Sequence, residues 1–252
     1  MAALDYWLVQ YRRTWRGTVV SGVLSPVLFL TAMGVGLGAL VDDGGRLGQE
    51  YLLFLAPGLL AATAMQTAVG ESTYPVMGAI KWIRTYHGML ATPLDSSDIL
   101  HGHLVYVALR TFTTSVVFAV IMALFGAAPS FTGAGLAVLA ATLCGMAFAT
   151  PVFAFSAAHE ADAGFAALER FGIVPMFLFS GTFFPISQLP TALEWVARVT
   201  PIWHGVELCR GLVTGTLGAA AGWGHVGYLV GWVVLGALVA RIVFRRRLEA
   251  TG

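Results

Sequence analysis

GAIKWIRTYHGMLATPLDSSDIL, residues 78 to 100, stands between two apolar runs, and its reading decides the rest of the chain. Taken as a helix, Ala79, Trp82, Ile83, Tyr86, Met89 and Leu90 line one side, and Lys81, Arg84, Thr85 and Gly88 the other, with Ile80 out of place. Thr92-Pro93 then breaks the helix, because the proline ring disfavours a helical conformation in the residue before it. Asp95, Ser96 and Ser97 follow as N-cap candidates for a helix that leads into the next apolar run. The stretch reads as an amphipathic helix on a membrane face, a turn, and a return into the membrane. Two roles fit that shape: a lever that receives a push from a partner in the cytoplasm, or an interfacial helix that only anchors its loop.

The bulk numbers place this segment in an integral membrane protein. Of 252 residues, 58% are hydrophobic and 11% charged, against about 25% charged in globular chains, and the mean hydropathy is +0.79. A net charge of +1 with scattered cations excludes a nucleic-acid surface. A hydrocarbon core of about 30 Å needs about 20 apolar residues. Six runs qualify, roughly 18 to 41, 52 to 70, 104 to 126, 131 to 156, 166 to 185 and 225 to 244. The fifth is uncharged only from Phe171, after Glu169 and Arg170, so five spans plus a re-entrant segment is the alternative. The connectors of one side would hold Arg12, Arg13, Arg16, Lys81, Arg84, Arg170 and Arg245 to Arg247, nine cations, and those of the other only Arg46, Arg198 and Arg210. The positive-inside rule then puts both termini in the cytoplasm, with VDDGGRLGQE (41 to 50) outside.

The N-terminal segment is not itself a span. Leu4, Trp7, Leu8, Tyr11 and Trp15 share one helical face, and Arg12, Arg13 and Arg16 another, as in a helix lying in the interface. The first 17 residues lack the order of a signal peptide, so this segment is expected to be retained. A second irregular region runs from 180 to 215. Pro190 and Pro201 each stand where a first helical residue would. Leu193, Val196 and Ala197 then form one short amphipathic piece, and Ile202, Val206, Cys209 and Val213 another. Neither can span, and irregular backbone at membrane depth needs protein or a watery cavity around it. The region is a candidate outer gate, with Pro185, Pro190, Pro201, His204 and Glu207 as its residues, or else an ordinary structured loop.

Chemistry-bearing motifs are scarce. There is no P-loop and no G-x-S-x-G. Gly34-x-x-x-Gly38 and Gly227-x-x-x-Gly231 lie in apolar runs and read as helix packing. His159 to Asp162 lacks the second histidine of a zinc helix, His101 and His103 point to different sides of a helix, and no metal site is expected. Cys144 and Cys209 belong to an apolar run and a polar connector, at different depths, poorly placed to pair. Arg110 sits inside a span near its inner end, where it either snorkels or finds a structural partner, or else touches a substrate path; Gln66 and Glu71 raise the same question. With neither a nucleotide site nor buried acidic or histidine relays, an energised transporter of this kind needs its engine on another chain.

YLLFLAPGLLAATAMQTAVGESTYP (51 to 75), MLATPLDSSDIL (89 to 100), FLFSGTFFPISQLP (177 to 190), PIWHGVELCRGLVTG (201 to 215) and the closing RRRLEA together resemble the permease subunits of ABC-2 type exporters. Within them the chain resembles the branch of NodJ-type nodulation lipooligosaccharide permeases and daunorubicin-type drug permeases. One departure is Gly102-His103, where that pattern often has Gly-Glu. The resemblance implies an all-α integral membrane domain over 1–252 of the type V ABC exporter kind, with six transmembrane helices. It implies an interfacial helix at 1–17, a cytoplasmic coupling loop at 71–100 and an extracellular re-entrant region at 186–223. It further implies pairing with a second permease protomer, a homodimer being expected, and with two cytoplasmic ABC ATPase subunits that carry the ATP and Mg. This chain would bind no cofactor and catalyse no reaction itself. Lys81, Trp82, Arg84, Tyr86, His87, Met89, Leu90, Thr92, Pro93 and Leu94 match the ATPase-coupling loop. Met65, Gln66, Arg110, Phe177, Phe179, Ser180, Thr182 and Phe183 are placed on the substrate path. The implied function is export of an amphiphile, a lipooligosaccharide, glycolipid or drug-like molecule, across a bacterial inner membrane. The competing readings are a gradient-driven carrier and a membrane-embedded enzyme or assembly factor.

Overall fold

The computed structural model describes residues 2–32, 46–161 and 163–249, and among these every regular element is helical. Gly34 and Gly38, the end of the first apolar run, the loop residues 41–45 and Asp162 lie outside the described residues. The first helix, α1 (Ala2–Leu30), runs without a break from the amphipathic segment into the first apolar run, so no boundary is visible at residue 17. Then come α2 (Arg46–Ser72), α3 (Tyr74–Met77), a π-helical turn (Gly78–Trp82) and α4 (Thr85–Leu90). Two long helices follow, α5 (Ser96–Leu124) and α6 (Phe131–Ala158). After them lie α7 (Ala163–Ala167), a second π-helical turn (Leu168–Ile173), α8 (Val174–Phe179), α9 (Thr191–Val199), α10 (Pro201–Thr214) and α11 (Ala219–Glu249).

Four described segments are long and apolar enough to cross a membrane: Tyr51–Trp82, Ser96–Leu124, Phe131–Ala158 and Ala219–Leu248. The fifth expected run ends early. Helical conformation covers residues 163–179, about 25 Å at 1.5 Å per residue, and Gly181 then turns the chain with φ +82°, a conformation that glycine adopts without a Cβ clash.

The centre of the bundle is α6, which packs against α2, α5, α10 and α11. Its inward positions are small: Ala134, Ala137, Ala140, Ala141, Gly145, Ala147 and Ala149 are buried. Small side chains let backbones approach, which drives helix association where lipid supplies no hydrophobic contrast. Burial falls off outward, from 72% of the apolar window in the α2 segment to 17% in α11, whose free face is apolar. Gly227 and Gly231 meet no described atom, and Gly236 is the glycine of α11 that packs tightly, against Thr150 and Pro151 of α6. Cys209 is also displaced from its expected depth. It is fully buried with Cys144 in one core cluster, its thiol donating to Ala137 O at 3.5 Å, because α10 folds into the bundle rather than staying in a connector; both thiols are free.

A second core cluster gathers Trp7, Tyr86, Ile99, Phe153, Phe244 and Leu248, and so brings both described chain ends to the end of the bundle that carries Lys81 and Arg84. We call this the basic end. There α5 begins at Asp95, one of the three cap candidates, in a reciprocal cap with Asp98 that the candidates did not include: Asp98 N–H donates to Asp95 Oδ1 at 2.8 Å and Asp95 N–H to Asp98 Oδ2 at 3.4 Å. One turn on, α1 crosses α5 at Gly102, where a Cβ would stand 2.7 Å from the Cβ of Ala3. Gly102→Val should therefore overpack this crossing, at a cost of about 1–3 kcal/mol. Thermal unfolding in detergent, followed by size exclusion, should show a lower midpoint for it and an unchanged one for Gly88→Ala, where the added methyl meets open space.

Candidate functional site

The segment at 78–95 forms an elbow. In its π turn the Ile83 N–H donates to Gly78 O, five residues back, at 2.8 Å, and Arg84 then takes a left-handed conformation with φ 57°. A non-glycine residue held there is strained, and single π turns recur at functional sites. The wider turn and the left-handed residue shift the helical register, so the face expected from a single helix does not form. Ile80 is buried with Ala79, whereas Trp82 is 53% and Ile83 73% exposed. Thr92 closes the elbow, its hydroxyl donating to Met89 O at 2.6 Å just before Pro93.

Of the residues matched to a coupling loop, Lys81, Trp82, Arg84, Thr92 and Pro93 are exposed at the basic end, and His87, Met89, Leu90 and Leu94 are half-buried. Tyr86 differs from them. It is fully buried, and its hydroxyl is hydrogen-bonded to His103 Nδ1 of α5. Burial holds the phenol well above its usual pKa, so it stays a donor and His103 Nδ1 accepts. The histidine of Gly102-His103 thus faces the protein interior. On the other side of the elbow, Lys81 Nζ donates to Glu160 O at 2.8 Å and Arg247 Nη1 to Glu160 Oε1 at 2.7 Å. This ties the elbow, the end of α6 and the end of α11 together, and the Arg247 hydrogen bond and charge keep the Glu160 carboxyl below its usual pKa.

Beside the elbow lies a cleft of about 600 Å³, between α2–α3 and the second π turn, lined by Gln66, Thr73, Tyr74, Phe165, Glu169 and Arg170 among others. Of the residues placed on a substrate path, only Gln66 lines it. Met65 is buried in the core. Arg110 is engaged by Glu71, its Nε and Nη2 donating to Oε1 at 3.0 and 2.7 Å, which is the structural pairing among the alternatives for that residue. Phe177 and Phe183 pack edge to face at 5.1 Å, and the hydroxyls of Ser180 and Thr182 bond each other at 2.8 Å in a buried turn. Phe179 is 40% exposed.

That turn is held at the far end by Arg210, which sequence reasoning counted only as a loop cation. Its Nη2 donates to Gly181 O at 2.7 Å, its Nε to Phe54 O at 3.1 Å and its Nη1 to Glu207 Oε1 at 2.8 Å, while its guanidinium lies 3.8 Å from the Phe54 ring centroid. The spacing Glu207-x-x-Arg210 was the available signal, since i, i+3 neighbours meet on a helix. Pro201 opens α10 as expected, whereas Pro190 is the cap before α9 rather than its first residue. Ile202, Val206, Cys209 and Val213 are buried, but Leu193 and Val196 of α9 are exposed. His204 meets His225 of α11, Nδ1 to Nδ1 at 2.8 Å, and stacks on Tyr228 at 3.8 Å. His225 and Tyr228 lie inside an apolar run, and nothing in the sequence pointed from them to His204.

Among known proteins, the family model for ABC-2 type transporters matches residues 1–213. Nodulation protein J of Rhizobium leguminosarum bv. viciae is 32% identical over 254 residues, which cover 96% of this chain and 95% of the relative. Nodulation protein J of Bradyrhizobium diazoefficiens is 31% identical over 252 residues, covering 96% and 94%. That of Rhizobium meliloti is 28% identical over 250 residues, covering 96% and 94%.

Two outcomes follow from the far end. Arg210→Ala leaves the carbonyls of Gly181 and Phe54 without their donor, and should lower stability by about 1–3 kcal/mol, read as faster proteolysis within 180–190. The second concerns pH. Burial, aided by His225, lowers His204 to about 4 from its ordinary 6.5. The folded form then resists the proton that the unfolded chain accepts, so this contribution is complete above pH 6.5 and is lost as pH falls towards 4. Amide exchange across 200–214, corrected for intrinsic rates, should rise over that window, and His204→Phe should flatten the dependence.

Proposed function

The chain belongs to the ABC-2 type transporter family, and from that premise we propose that it is the membrane permease of an ATP-driven exporter whose motor is a separate chain. The observation that carries the proposal is the elbow. It presents Trp82, Ile83, Lys81 and Arg84 outward at one end of an otherwise apolar bundle, while Tyr86 anchors it inside and Glu160 at its flank. Exposed apolar side chains flanked by cations, on backbone held in a strained conformation, suit a docking surface better than a membrane anchor. In this reading the basic end faces the cytoplasm of a bacterial inner membrane. Two ATPase subunits, binding ATP and Mg, grip two elbows, one from each protomer of a homodimer.

The cleft supports an amphiphilic cargo. Tyr74 and Phe165, which meet edge to face at 5.0 Å, offer an apolar wall, and Gln66, Thr73, Glu169 and Arg170 offer polar groups to a head group. A lipooligosaccharide, a glycolipid and a drug-like amphiphile all fit that chemistry. Closure of the motor would displace the elbow, and export follows only if the cargo binds one arrangement of the helices more tightly than the other. The 180–185 turn with α9 and α10 would form the gate opposite the motor.

The test is a mild-detergent pull-down of the tagged protein from its native membranes, with the eluate assayed for vanadate-sensitive ATP hydrolysis. An ATPase should co-purify, and Arg84→Glu should cut its retention about tenfold, the equivalent of 1.4 kcal/mol. If no ATPase activity is recovered while the oligomer is preserved, the external motor is ruled out and gradient-driven transport by the bare chain takes its place.

A further inference from the structure

We propose that Tyr86 does not touch the motor and instead, with His103, is the positioning pair that passes a displacement of the elbow to α1, α5 and α2 through one buried aromatic and polar column. This rests on the reading of the elbow as the motor-facing segment.

The column is continuous. The Tyr86 hydroxyl is bonded to His103 Nδ1. Trp7 of α1 stacks on His103 with centroids 4.0 Å apart and planes at 28°, and on Tyr106 at 5.5 Å and 25°. Tyr11, one turn along α1, meets Tyr106 edge on at 6.5 Å. The Arg110 guanidinium lies 4.9 Å from the Tyr11 ring centroid and forms the ion pair with Glu71 of α2 at 2.7 Å. Four helices are thereby linked through α5, which meets α4 at His103, α1 at His103, Tyr106 and Arg110, and α2 at Arg110.

Burial makes the column a conductor of displacement. Tyr86 and His103 are 0% exposed, Trp7 5% and Tyr106 6%. Phe244 of α11 and Phe153 of α6 wall the column in, at 5.1 Å from Tyr86 and 5.3 Å from His103. Close-packed interiors do not compress, so a shift of Tyr86 has to be taken up by His103 and then Trp7. The other tie of the elbow, Lys81 to Glu160 to Arg247, holds it to α6 and α11 rather than to α1, and runs through Glu160, whose side chain is 70% exposed and so weakened by solvent. Packing alone does not account for the polar members. Trp7 Nε1 is buried without a hydrogen-bond partner among the described residues, a cost that an apolar side chain of similar shape would avoid. What the histidine adds is an acceptor that fixes the Tyr86 hydroxyl in one direction.

A path claimed from contacts needs measured coupling. The experiment is amide exchange on the purified complex of permease and co-purified ATPase, with and without ATP and vanadate. In the wild type, trapping should change exchange at 85–90 and at 3–11 together. Tyr86→Phe keeps the ring and removes the hydroxyl. It should retain the ATPase, the vanadate-sensitive hydrolysis and the response at 85–90, while the response at 3–11 falls by about threefold or more. Trp7→Leu cuts the next link and should give the same split, which keeps the test decisive if Tyr86→Phe folds poorly. The double variant Tyr86→Phe/His103→Leu should lose no more than Tyr86→Phe, as expected of two residues acting through one bond. An undiminished response at 3–11 in both single variants overturns the proposal alone. A wild-type eluate with no ATPase removes the underlying reading and the proposal with it.

Discussion

Alanine and glycine on the inward faces of α6 let α2, α5, α10 and α11 close around one helix, and the other contacts in the bundle presuppose that approach. Hydrocarbon gives helices no hydrophobic reason to associate, so van der Waals contact at short range has to supply it. The consequence reaches both ends. Because α10 is drawn against α6 and α2, Arg210 arrives within reach of Gly181, Phe54 and Glu207 together. Because α5 is drawn in, His103 lies beneath the elbow.

Two arginines show how a cation is kept inside such a bundle. Arg110 has one acidic partner from a neighbouring helix and an aromatic face. Arg210 has a carboxylate on its own helix and two carbonyls from elsewhere. Each is bonded in more than one direction, as a charge removed from water has to be. The two differ in what they join. Arg110 locks helix to helix near the basic end, and Arg210 pins an irregular turn that cannot satisfy its own backbone.

Much of this was legible in advance. Periodicity places Leu4, Trp7 and Tyr11 on one face of α1, and these are the residues of that face that pack into the core. Proline and aspartate chemistry placed the break at Pro93 and the cap at Asp95. The apolar stripe Ile202, Val206, Cys209 and Val213 is buried as its spacing implied. Periodicity failed where the helix was not α-helical. A π turn and a left-handed Arg84 sent Trp82 and Ile83 outward and Ile80 inward, and neither device has a sequence signature strong enough to displace the 3.6-residue rule. The fifth apolar run extends past the end of its helix at Phe179 for the same kind of reason, since composition carries no record of where Gly181 turns.

The sequence by itself determined that this is a helical membrane protein with an elbow between two spans, because hydrophobic length, helical period and proline stereochemistry are local properties of the chain. Family resemblance was legible too, in motifs spread over its length. Only the tertiary structure decided which residues the elbow shows and which it hides, and which partners its polar groups take. Tyr86 and His103 are 17 positions apart, Arg110 and Glu71 39, and Arg210 and Phe54 156. Their roles depend on which helices the small residues of α6 bring together, and that is a property of the packed bundle rather than of any one segment.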